Sequence, residues 1–275
     1  MIRARIIGVL LLGITAAVAP ASRAQAPSHS KVALVSDQSA VHPGEEISLG
    51  FKFDLDAGWH TYWINPGDSG QPAFVRWQLP PGWQPGAMLW PVPARIPDHS
   101  LIDYGYENQV LLIVPVRAPA TLHAGGKADV HATVQWLVCR DVCVPAQANV
   151  ALTLPVSGTA RPEYSRDHEL FESTRRRLPA AEPARWRASA QAEGDHFVLQ
   201  VETGGSETAK TFLPLDPGQI ENAAAPVITR SKRGVRIMLN KSDQLAGPIS
   251  HLRGILVMTS GRGFTIDAPV RSLKR

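Results

Sequence analysis

The order of hydrophobic and polar positions along the chain is typical of a β protein. From about Lys31 to Val156, short stretches that alternate between apolar and polar residues are separated by Gly, Pro, Asn and Asp. "EISLGFKFDL", "FVRWQLP" and "VLLIVPVRA" are three of these stretches, and "DAGWHTYWINPGDSGQP" between them has the composition of a loop. Short β runs at regular spacing with turn residues between them predict a β-sandwich.

The last two stretches of this region, "ADVHATVQWLVC" and "CVPAQANVALTLP", have the longest alternation. Alternate side chains of a strand point to opposite faces, so each stretch has one apolar face. The apolar faces contain Val130, Ala132, Val134, Trp136 and Val138 in the first stretch, and Val144, Ala146, Ala148, Val150, Leu152 and Leu154 in the second. The two cysteines fall on the opposite, more polar faces.

A three-residue tip, Arg140 to Val142, would join these strands as a hairpin and set Cys139 against Cys143. Directly opposed strand residues have Cα atoms ~4.5–5.5 Å apart, and a disulfide needs ~4.4–6.8 Å. The spacing therefore predicts a Cys139–Cys143 disulfide at a hairpin tip, outside the core. A helical C-x3-C pair is the alternative, and Pro145 and the β-branched neighbours argue against it.

The stretch "RPEYSRDHELFESTRRRLP" predicts a helix between Pro162 and Pro179, with Tyr164, His168, Phe171 and Leu178 on one face. A second set of β runs follows: "HFVLQVET", "KTFLPL", "GVRIMLN", "LRGILVMTS" and "GFTIDAPV". We therefore expect a mainly β protein with a sandwich at residues 31–157, a linker with a helix at 158–185, and a second, smaller β domain at 186–275.

The first 24 residues have the pattern of a secretory signal peptide. Arg3 and Arg5 precede an apolar run of about 13 residues, which is short of the ~20 that a membrane-spanning helix needs, and small residues follow it. We expect cleavage before Gln25 and export, to the periplasm in a Gram-negative bacterium. We do not expect the mature chain to span a membrane.

The net charge of the mature chain does not indicate a particular class of function. Three of the 28 basic residues lie in the signal peptide, which leaves 25 against 24 acidic residues in the mature chain. A net charge of about +1 gives no reason to expect a nucleic-acid partner.

The residues alone leave three roles open for the only two cysteines. As a structural staple they would close a very short loop, which stabilises a fold little. Two thiolates could bind Cu(I), but no third ligand has suitable spacing. An exposed disulfide at a tight turn could exchange with other thiols.

Several motifs, in the same order, are similar to one family. "WHTYWINPGDSGQP", "YGYENQVLLIVPV" and "WLVCRDVCVPAQANVALTLP" resemble the N-terminal periplasmic domain of the thiol:disulfide interchange protein DsbD, and still more the ScsB-type (suppressor of copper sensitivity) domain. The similarity covers about residues 35–155, and extends more loosely through "LRGILVMTSGRGFTIDAPV".

This resemblance implies an immunoglobulin-like domain in which Cys139 and Cys143 form a redox-active pair. In the family, the domain takes electrons from a membrane-embedded thiol carrier and passes them to periplasmic partners such as thioredoxin-like proteins. The exchange needs no organic cofactor and no metal. Oxidoreductase activity would then depend on a separate membrane protein, because this chain ends at Arg275 without the transmembrane and thioredoxin-like domains of the full-length proteins.

The family shields its cysteine pair with an aromatic residue of a cap loop. The matching stretch is "PDHSLIDYGYENQ", so the resemblance makes Tyr104 the first candidate for the shield and Tyr106 the second. Both could instead be core or turn residues. We interpret His60, Trp63 and the segment 65–70 as a family-like loop whose glycines and proline fix turns, without a catalytic role.

A different class of function remains as the alternative. The chain could be a non-catalytic periplasmic binding protein that acts in copper tolerance. Its disulfide would then be structural, or its reduced thiols would bind Cu(I).

Overall fold

The computed structural model describes residues 29–158, 163–205 and 207–272, so the predicted signal peptide lies outside the described residues. The strands of the first half are β1 (Ser30–Ser36), β2 (Glu46–Leu55), β3 (His60–Gly67), β4 (Phe74–Gln78), β5 (Gln84–Pro85), β6 (Ala94–Asp98), β7 (Leu101–Glu107), β8 (Gln109–Arg117), β9 (Lys127–Cys139) and β10 (Cys143–Pro155). After the helix α1 (His168–Arg175) come β11 (Arg187–Glu193), β12 (His196–Glu202), β13 (Ala209–Pro214), β14 (Val227–Ser231), β15 (Gly234–Asn240), β16 (His251–Met258) and β17 (Gly263–Ser272).

Strands β1 to β10 form the N-terminal sandwich. One sheet has the order β1-β2-β8-β5, and the other has the order β10-β9-β3-β7-β6, with β4 also paired to β9. Buried side chains from both sheets share one hydrophobic core, which includes Phe51, Trp63, Leu112 and Val134. The prediction of an immunoglobulin-like β-sandwich is confirmed.

The β9–β10 hairpin has the predicted register. Cys139 lies opposite Cys143, and pairing continues to Lys127 opposite Pro155. Val130, Val134 and Val138 on the inner face are fully buried. On the outer face, polar side chains bond across the strands: the Thr133 hydroxyl donates to Asn149 at 2.8 Å and the Gln135 amide to Gln147 at 2.7 Å. Alternation therefore located both faces of the strands, but the expectation that both cysteines lie outside the core was wrong for Cys139, which is 2% exposed.

Two segments that we interpreted as loops are central strands of the six-stranded sheet. β3 falls within "DAGWHTYWINPGDSGQP", and β7 falls within "PDHSLIDYGYENQ". The glycines and prolines misled the interpretation, because they serve close approaches within the sheet as well as turns. Gly105 of β7 is an example, since a Cβ there would lie 2.2 Å from the carbonyl oxygen of Thr61 on β3.

The helix α1 is shorter than predicted. It begins at His168, and Pro162, the expected first-turn residue, lies outside the described residues. Tyr164 is not helical: it is exposed and stacks on His168 with ring centroids 3.7 Å apart. Within the described ranges, no helix is long and apolar enough to cross a bilayer.

The helix packs against the outer side of the four-stranded sheet. Phe171 is fully buried and forms a small core with Val35, Leu111 and Ile113. The Arg175 guanidinium donates to the Asp37 carboxylate at 2.7 Å, and Asp37 is 4% exposed. His168 Nδ1 also lies 2.6 Å from Asp37 Oδ1, so one buried aromatic ring and two contacts with the Asp37 carboxylate attach the helix.

Strands β11 to β17 form a seven-stranded sheet, which we call the C-terminal sheet, with the order β13-β16-β17-β11-β12-β15-β14. Two of its strands, β11 and β14, were not predicted. Its buried side chains form a second core. Three others, Leu213, Ile255 and Val257, belong to the core of the N-terminal sandwich, so apolar contact joins the two parts.

We predict that Phe171→Ala lowers the free energy of unfolding by about 3–5 kcal/mol, because it removes a buried ring and leaves a cavity under α1. Denaturant-induced unfolding of the oxidised protein measures this loss. Phe74→Ala is the matched control: the Phe74 ring is 58% exposed, and its removal should cost less than about 0.5 kcal/mol. Equal losses in the two variants would contradict the packing of α1.

Candidate functional site at the cysteine hairpin

The two cysteines are joined at the tip of the β9–β10 hairpin. The sulfur atoms are 2.09 Å apart and the Cα atoms 4.2 Å apart. The tip consists of residues 140–142, and the amide of Arg140 donates to the carbonyl oxygen of Val142 at 3.3 Å. The disulfide thus links directly opposed residues of neighbouring strands, at the point where the ladder ends.

The two sulfur-bearing residues differ in exposure. Cys139 is 2% exposed, whereas Cys143 is exposed. The difference arises because β3 covers one side of β9: His60 pairs with Cys139, and the Thr61 hydroxyl donates to the carbonyl oxygen of Leu137 at 3.0 Å. Among the described strands, β10 is at the edge of its sheet, and none lies beyond Cys143. A reagent from solvent therefore meets Cys143 first.

Tyr62 of β3 is the aromatic residue that contacts the disulfide. Its hydroxyl oxygen lies 3.4 Å from the Cys143 sulfur and 3.3 Å from the Ser69 hydroxyl oxygen. The ring is 1% exposed and meets the His60 ring edge-on, with centroids 5.2 Å apart. Its other neighbour is Gly70, where a Cβ would lie 2.1 Å from Tyr62 Cζ. Gly70 therefore leaves the space that the ring occupies.

A buried carboxylate organises the groups behind Tyr62. Asp103 is fully buried and accepts hydrogen bonds from the Ser69 amide at 3.1 Å and the Ser69 hydroxyl at 3.0 Å. Its Oδ2 also lies 3.4 Å from His60 Nε2. A buried carboxylate needs such donors, because burial removes its hydration.

The Ser69 and Tyr62 hydroxyls have one proton each, and this fixes which of them donates in the hydrogen bond between them. Ser69 uses its proton toward Asp103, so Tyr62 is the donor, either to the Ser69 oxygen or to the Cys143 sulfur. Loss of hydration on burial raises the pKa of Tyr62 to about 12; the Ser69 hydrogen bond opposes this rise and the Asp103 charge adds to it. Tyr62 is therefore a neutral donor at physiological pH, within hydrogen-bond distance of both the Ser69 oxygen and the Cys143 sulfur.

A cation–π contact also holds the hairpin tip. The Arg140 guanidinium lies 5.2 Å from the centre of the Trp59 ring, and the same ring stacks on His29 with ring centroids 3.8 Å apart. Arg140 also pairs with Asp141 at 3.0 Å. These contacts keep the positive charge next to the tip and limit its movement.

Tyr104 and Tyr106, the candidates for the shield, lie on the core face of β7 and not on the face of the disulfide. They alternate with Asp103 and Gly105, which are on the disulfide side. The Tyr104 hydroxyl donates to Asn222 Oδ1 at 3.0 Å, and the Tyr106 hydroxyl donates to the carbonyl oxygen of Pro91 at 2.7 Å. The structure therefore places Tyr62 where we expected one of these two tyrosines.

Sequence reasoning missed Tyr62, His60 and Ser69 because it assigned their segment to a loop. The run of β-branched and aromatic residues from Thr61 to Ile64 is visible in the sequence, and could have indicated a strand. This strand pairs with β9 through His60 and Cys139, which are about 80 residues apart in the chain. No local sequence pattern reveals such a pairing. Among the described residues, no cluster of three or more His, Cys, Asp or Glu side chains is arranged to hold a metal ion.

Comparison with known proteins gives three results. Residues 31–155 match the family model described as "Thiol:disulfide interchange protein DsbD, N-terminal". No curated protein sequence matches the chain. The N-terminal periplasmic domain of ScsB from Proteus mirabilis is 15% identical, with a TM-score of 0.62 over 88% of this chain and 94% of that chain.

Two further solved structures are much less similar. A protein of unknown function from Porphyromonas gingivalis is 12% identical, with a TM-score of 0.26 over 89% of this chain and 99% of that chain. The major pilin subunit BcpA of Bacillus cereus is 8% identical, with a TM-score of 0.29 over 89% of this chain and 69% of that chain. The ScsB domain shares the fold of both parts of this chain. The N-terminal sandwich thus matches the family of DsbD N-terminal domains over residues 31–155, and the ScsB domain has a similar fold.

Proposed function

We propose that the protein exchanges disulfides with thiols through Cys139 and Cys143, and so passes reducing equivalents between a membrane-embedded thiol carrier and periplasmic thioredoxin-like proteins. The observation that carries this proposal is the asymmetry of the pair: Cys143 is exposed and meets a neutral tyrosine hydroxyl, whereas Cys139 is buried under β3. Membership of a thiol–disulfide interchange family supports the same chemistry.

The location and the domain roles are part of the proposal. Residues 1–24 direct export to the periplasm, residues 31–157 form the thiol domain, and residues 158–185 link it to a second domain at 186–275. A membrane-embedded carrier of the DsbD or ScsB type supplies the electrons.

Reduction begins at the exposed sulfur. A thiolate of the reduced partner attacks Cys143 Sγ, a bond forms between the two proteins, and the Cys139–Cys143 bond breaks. Cys139 leaves as a thiolate and takes up the proton that the partner thiol has released. The product is a mixed disulfide between the partner and Cys143.

The second thiol of the partner then attacks its own sulfur in the mixed disulfide. The bond to Cys143 breaks, the partner becomes a disulfide, and Cys143 leaves as a thiolate before it takes up the second proton. Two electrons and two protons have then moved to this chain. Tyr62 stabilises the leaving Cys143 thiolate, because its hydroxyl can turn from Ser69 to the sulfur and donate to the negative charge.

The reduced chain passes the electrons on by the same steps in reverse. The Cys143 thiolate attacks the disulfide of the next partner, and the Cys139 thiolate resolves the mixed disulfide. A shallow groove of about 330 Å³ beside the hairpin, lined in part by Phe74, Leu137 and Pro145, offers apolar surface to a partner that approaches Cys143. The Val142 side chain at the tip is 64% exposed and offers further apolar surface near Cys143.

We predict that the two single-cysteine variants differ. Cys139→Ala leaves the accessible Cys143, and should react with an aromatic disulfide reagent about tenfold faster than Cys143→Ala, because reactivity follows access and thiolate character. Absorbance of the released thiolate measures both rates. Equal rates in the folded variants would contradict the proposed point of attack.

The same variants test the exchange function in the exporting organism. Cys139→Ala should accumulate a mixed disulfide with a partner, visible on non-reducing gels and lost on reduction, because the resolving cysteine is absent. Cys143→Ala is the matched control and should show much less adduct. No adduct with either variant, together with a reduction potential below about −300 mV, would identify the bond as structural.

We also predict that Tyr62→Phe, in the Cys139→Ala background, raises the pKa of the Cys143 thiol and slows its alkylation at pH 7 about tenfold, because one hydrogen bond to the thiolate is lost. The pH profile of iodoacetamide alkylation measures the pKa. Tyr106→Phe is the matched control, since its hydroxyl bonds to Pro91 within the core. An unchanged profile in Tyr62→Phe would exclude a role for this hydroxyl.

The raised pKa of Tyr62 also predicts a loss of stability at high pH. The unfolded chain ionises this tyrosine near 10, whereas the folded protein ionises it at about 12. Its contribution is therefore complete below pH 10 and is lost between pH 10 and 12. Tyr62→Phe should show a smaller fall in the free energy of unfolding over this range, measured with urea at each pH. An equal fall would contradict the burial of the Tyr62 hydroxyl.

A further inference from the structure

The C-terminal sheet meets the N-terminal sandwich at the segment 65–70, which follows Tyr62 in the chain. Asn65 is 1% exposed, and its side-chain amide donates to the carbonyl oxygen of Pro214 in β13 at 2.9 Å. The apolar side chains of Leu213 and Ile255 join the core of the sandwich next to it. The segment that carries Ser69 is therefore part of the contact between the two parts.

Asn222, in the loop between β13 and β14, binds the sandwich with three polar atoms. Its Oδ1 accepts from the Tyr104 hydroxyl at 3.0 Å, its Nδ2 donates to Asp68 Oδ1 at 2.8 Å, and its carbonyl oxygen accepts from Arg95 at 2.5 Å. Asn222 is 6% exposed. A buried amide with both side-chain atoms bonded has one preferred position, because a shift leaves polar groups without partners.

From Asp68, a short series of bonds leads to the disulfide. The other carboxylate oxygen of Asp68 accepts from the amide of Ile102 at 2.8 Å. The next residue, Ser69, is held by Asp103 through its amide and its hydroxyl. The Ser69 hydroxyl meets Tyr62, and Tyr62 meets Cys143. Three side chains thus separate Asn222 from the sulfur.

The glycines leave the segment little freedom to adjust. At Gly67, with φ +94°, a Cβ would lie 2.3 Å from the carbonyl oxygen of Ile102. At Gly70, with φ +79°, a Cβ would lie 2.1 Å from Cζ of the Tyr62 ring and so overlap with it. Because the backbone is in contact with β7 at one end and with Tyr62 at the other, a displacement at Asp68 moves Ser69 and the ring together.

We propose that Asn222 is a positioning residue for thiol–disulfide exchange: the C-terminal sheet holds the segment 65–70 through Asn222 and Asp68, and so keeps the Tyr62 hydroxyl at Cys143. This inference rests on the proposed function. It gives the second β domain a role at the cysteine pair without contact to either sulfur.

Asn222→Ala tests this role in the full chain. In the Cys139→Ala background, we expect the pKa of the Cys143 thiol to rise and its alkylation at pH 7 to slow about tenfold, as in Tyr62→Phe. Adding Tyr62→Phe to Asn222→Ala should cause little further change, because both act on one hydrogen bond.

His251→Ala is the control. His251 of β16 lies in the same sheet, and its Nδ1 is 2.6 Å from Asp267 Oδ1 of β17, so this variant should leave the alkylation rate and the pKa of the Cys143 thiol unchanged. A merely structural loss at Asn222 would lower stability without changing the pKa of the thiol. Identical rates and pKa values in Asn222→Ala and His251→Ala would overturn the inference while the proposed function stands.

Asp68→Ala breaks the same link from the sandwich side, and serves if Asn222→Ala does not fold. Asp68 is exposed, so its loss threatens the fold little. Loss of its negative charge alone would lower the pKa of the thiol; loss of the Tyr62 hydrogen bond would raise it, and a fall would therefore overturn the inference. A wild-type protein that dithiothreitol reduces no faster than a structural disulfide would remove the proposed function itself, and the inference with it.

Discussion

One cross-strand pair, His60 of β3 against Cys139 of β9, determines the character of the cysteine hairpin. A two-stranded hairpin with a disulfide at its tip would expose both sulfurs to water. The neighbouring strand β3 covers one of them, and the same strand brings Tyr62 to the other. The difference between the two cysteines is thus a property of the third strand and not of the hairpin that contains them.

The groups around the disulfide depend in turn on a buried carboxylate. Asp103 accepts two hydrogen bonds from Ser69, so the Ser69 proton is committed, and Tyr62 must donate elsewhere. The Tyr62 proton can therefore be donated either to the Ser69 oxygen or to the Cys143 sulfur. While the sulfur is neutral in the disulfide, the two hydrogen bonds differ little in free energy. Once negative charge develops on the sulfur, the bond to the sulfur is favoured.

The hairpin could be predicted from the sequence, whereas its surroundings could not. Strict alternation from Val130 to Val138 located the core face. Cys139 and Cys143 are only four positions apart, so their pairing could be predicted from local sequence. Tyr62 reaches Cys143 through pairing between strands that are distant in the chain, and the Gly and Pro residues around it resemble a loop. Tyr104 and Tyr106 were predicted near the disulfide by resemblance, and the alternation of β7 sets them on the other face.

The helix shows a similar limit. Tyr164, His168, Phe171 and Leu178 were predicted to share one helical face, but Tyr164 precedes the helix, and of the four only Phe171 is fully buried. End signals in the sequence indicated that a helix exists, but they placed its start too early.

The shared surface between the sandwich and the C-terminal sheet bears on how such proteins can diversify. Three residues of the C-terminal part cover positions of the sandwich that side chains of the sandwich itself would otherwise have to cover: Leu213, Ile255 and Asn222. The two parts are consequently difficult to exchange by recombination. A sandwich joined to an unrelated domain would need new surface residues before the two packed as closely as the present pair. We therefore expect gene fusions in this lineage to retain the pair together and to vary at its outer ends.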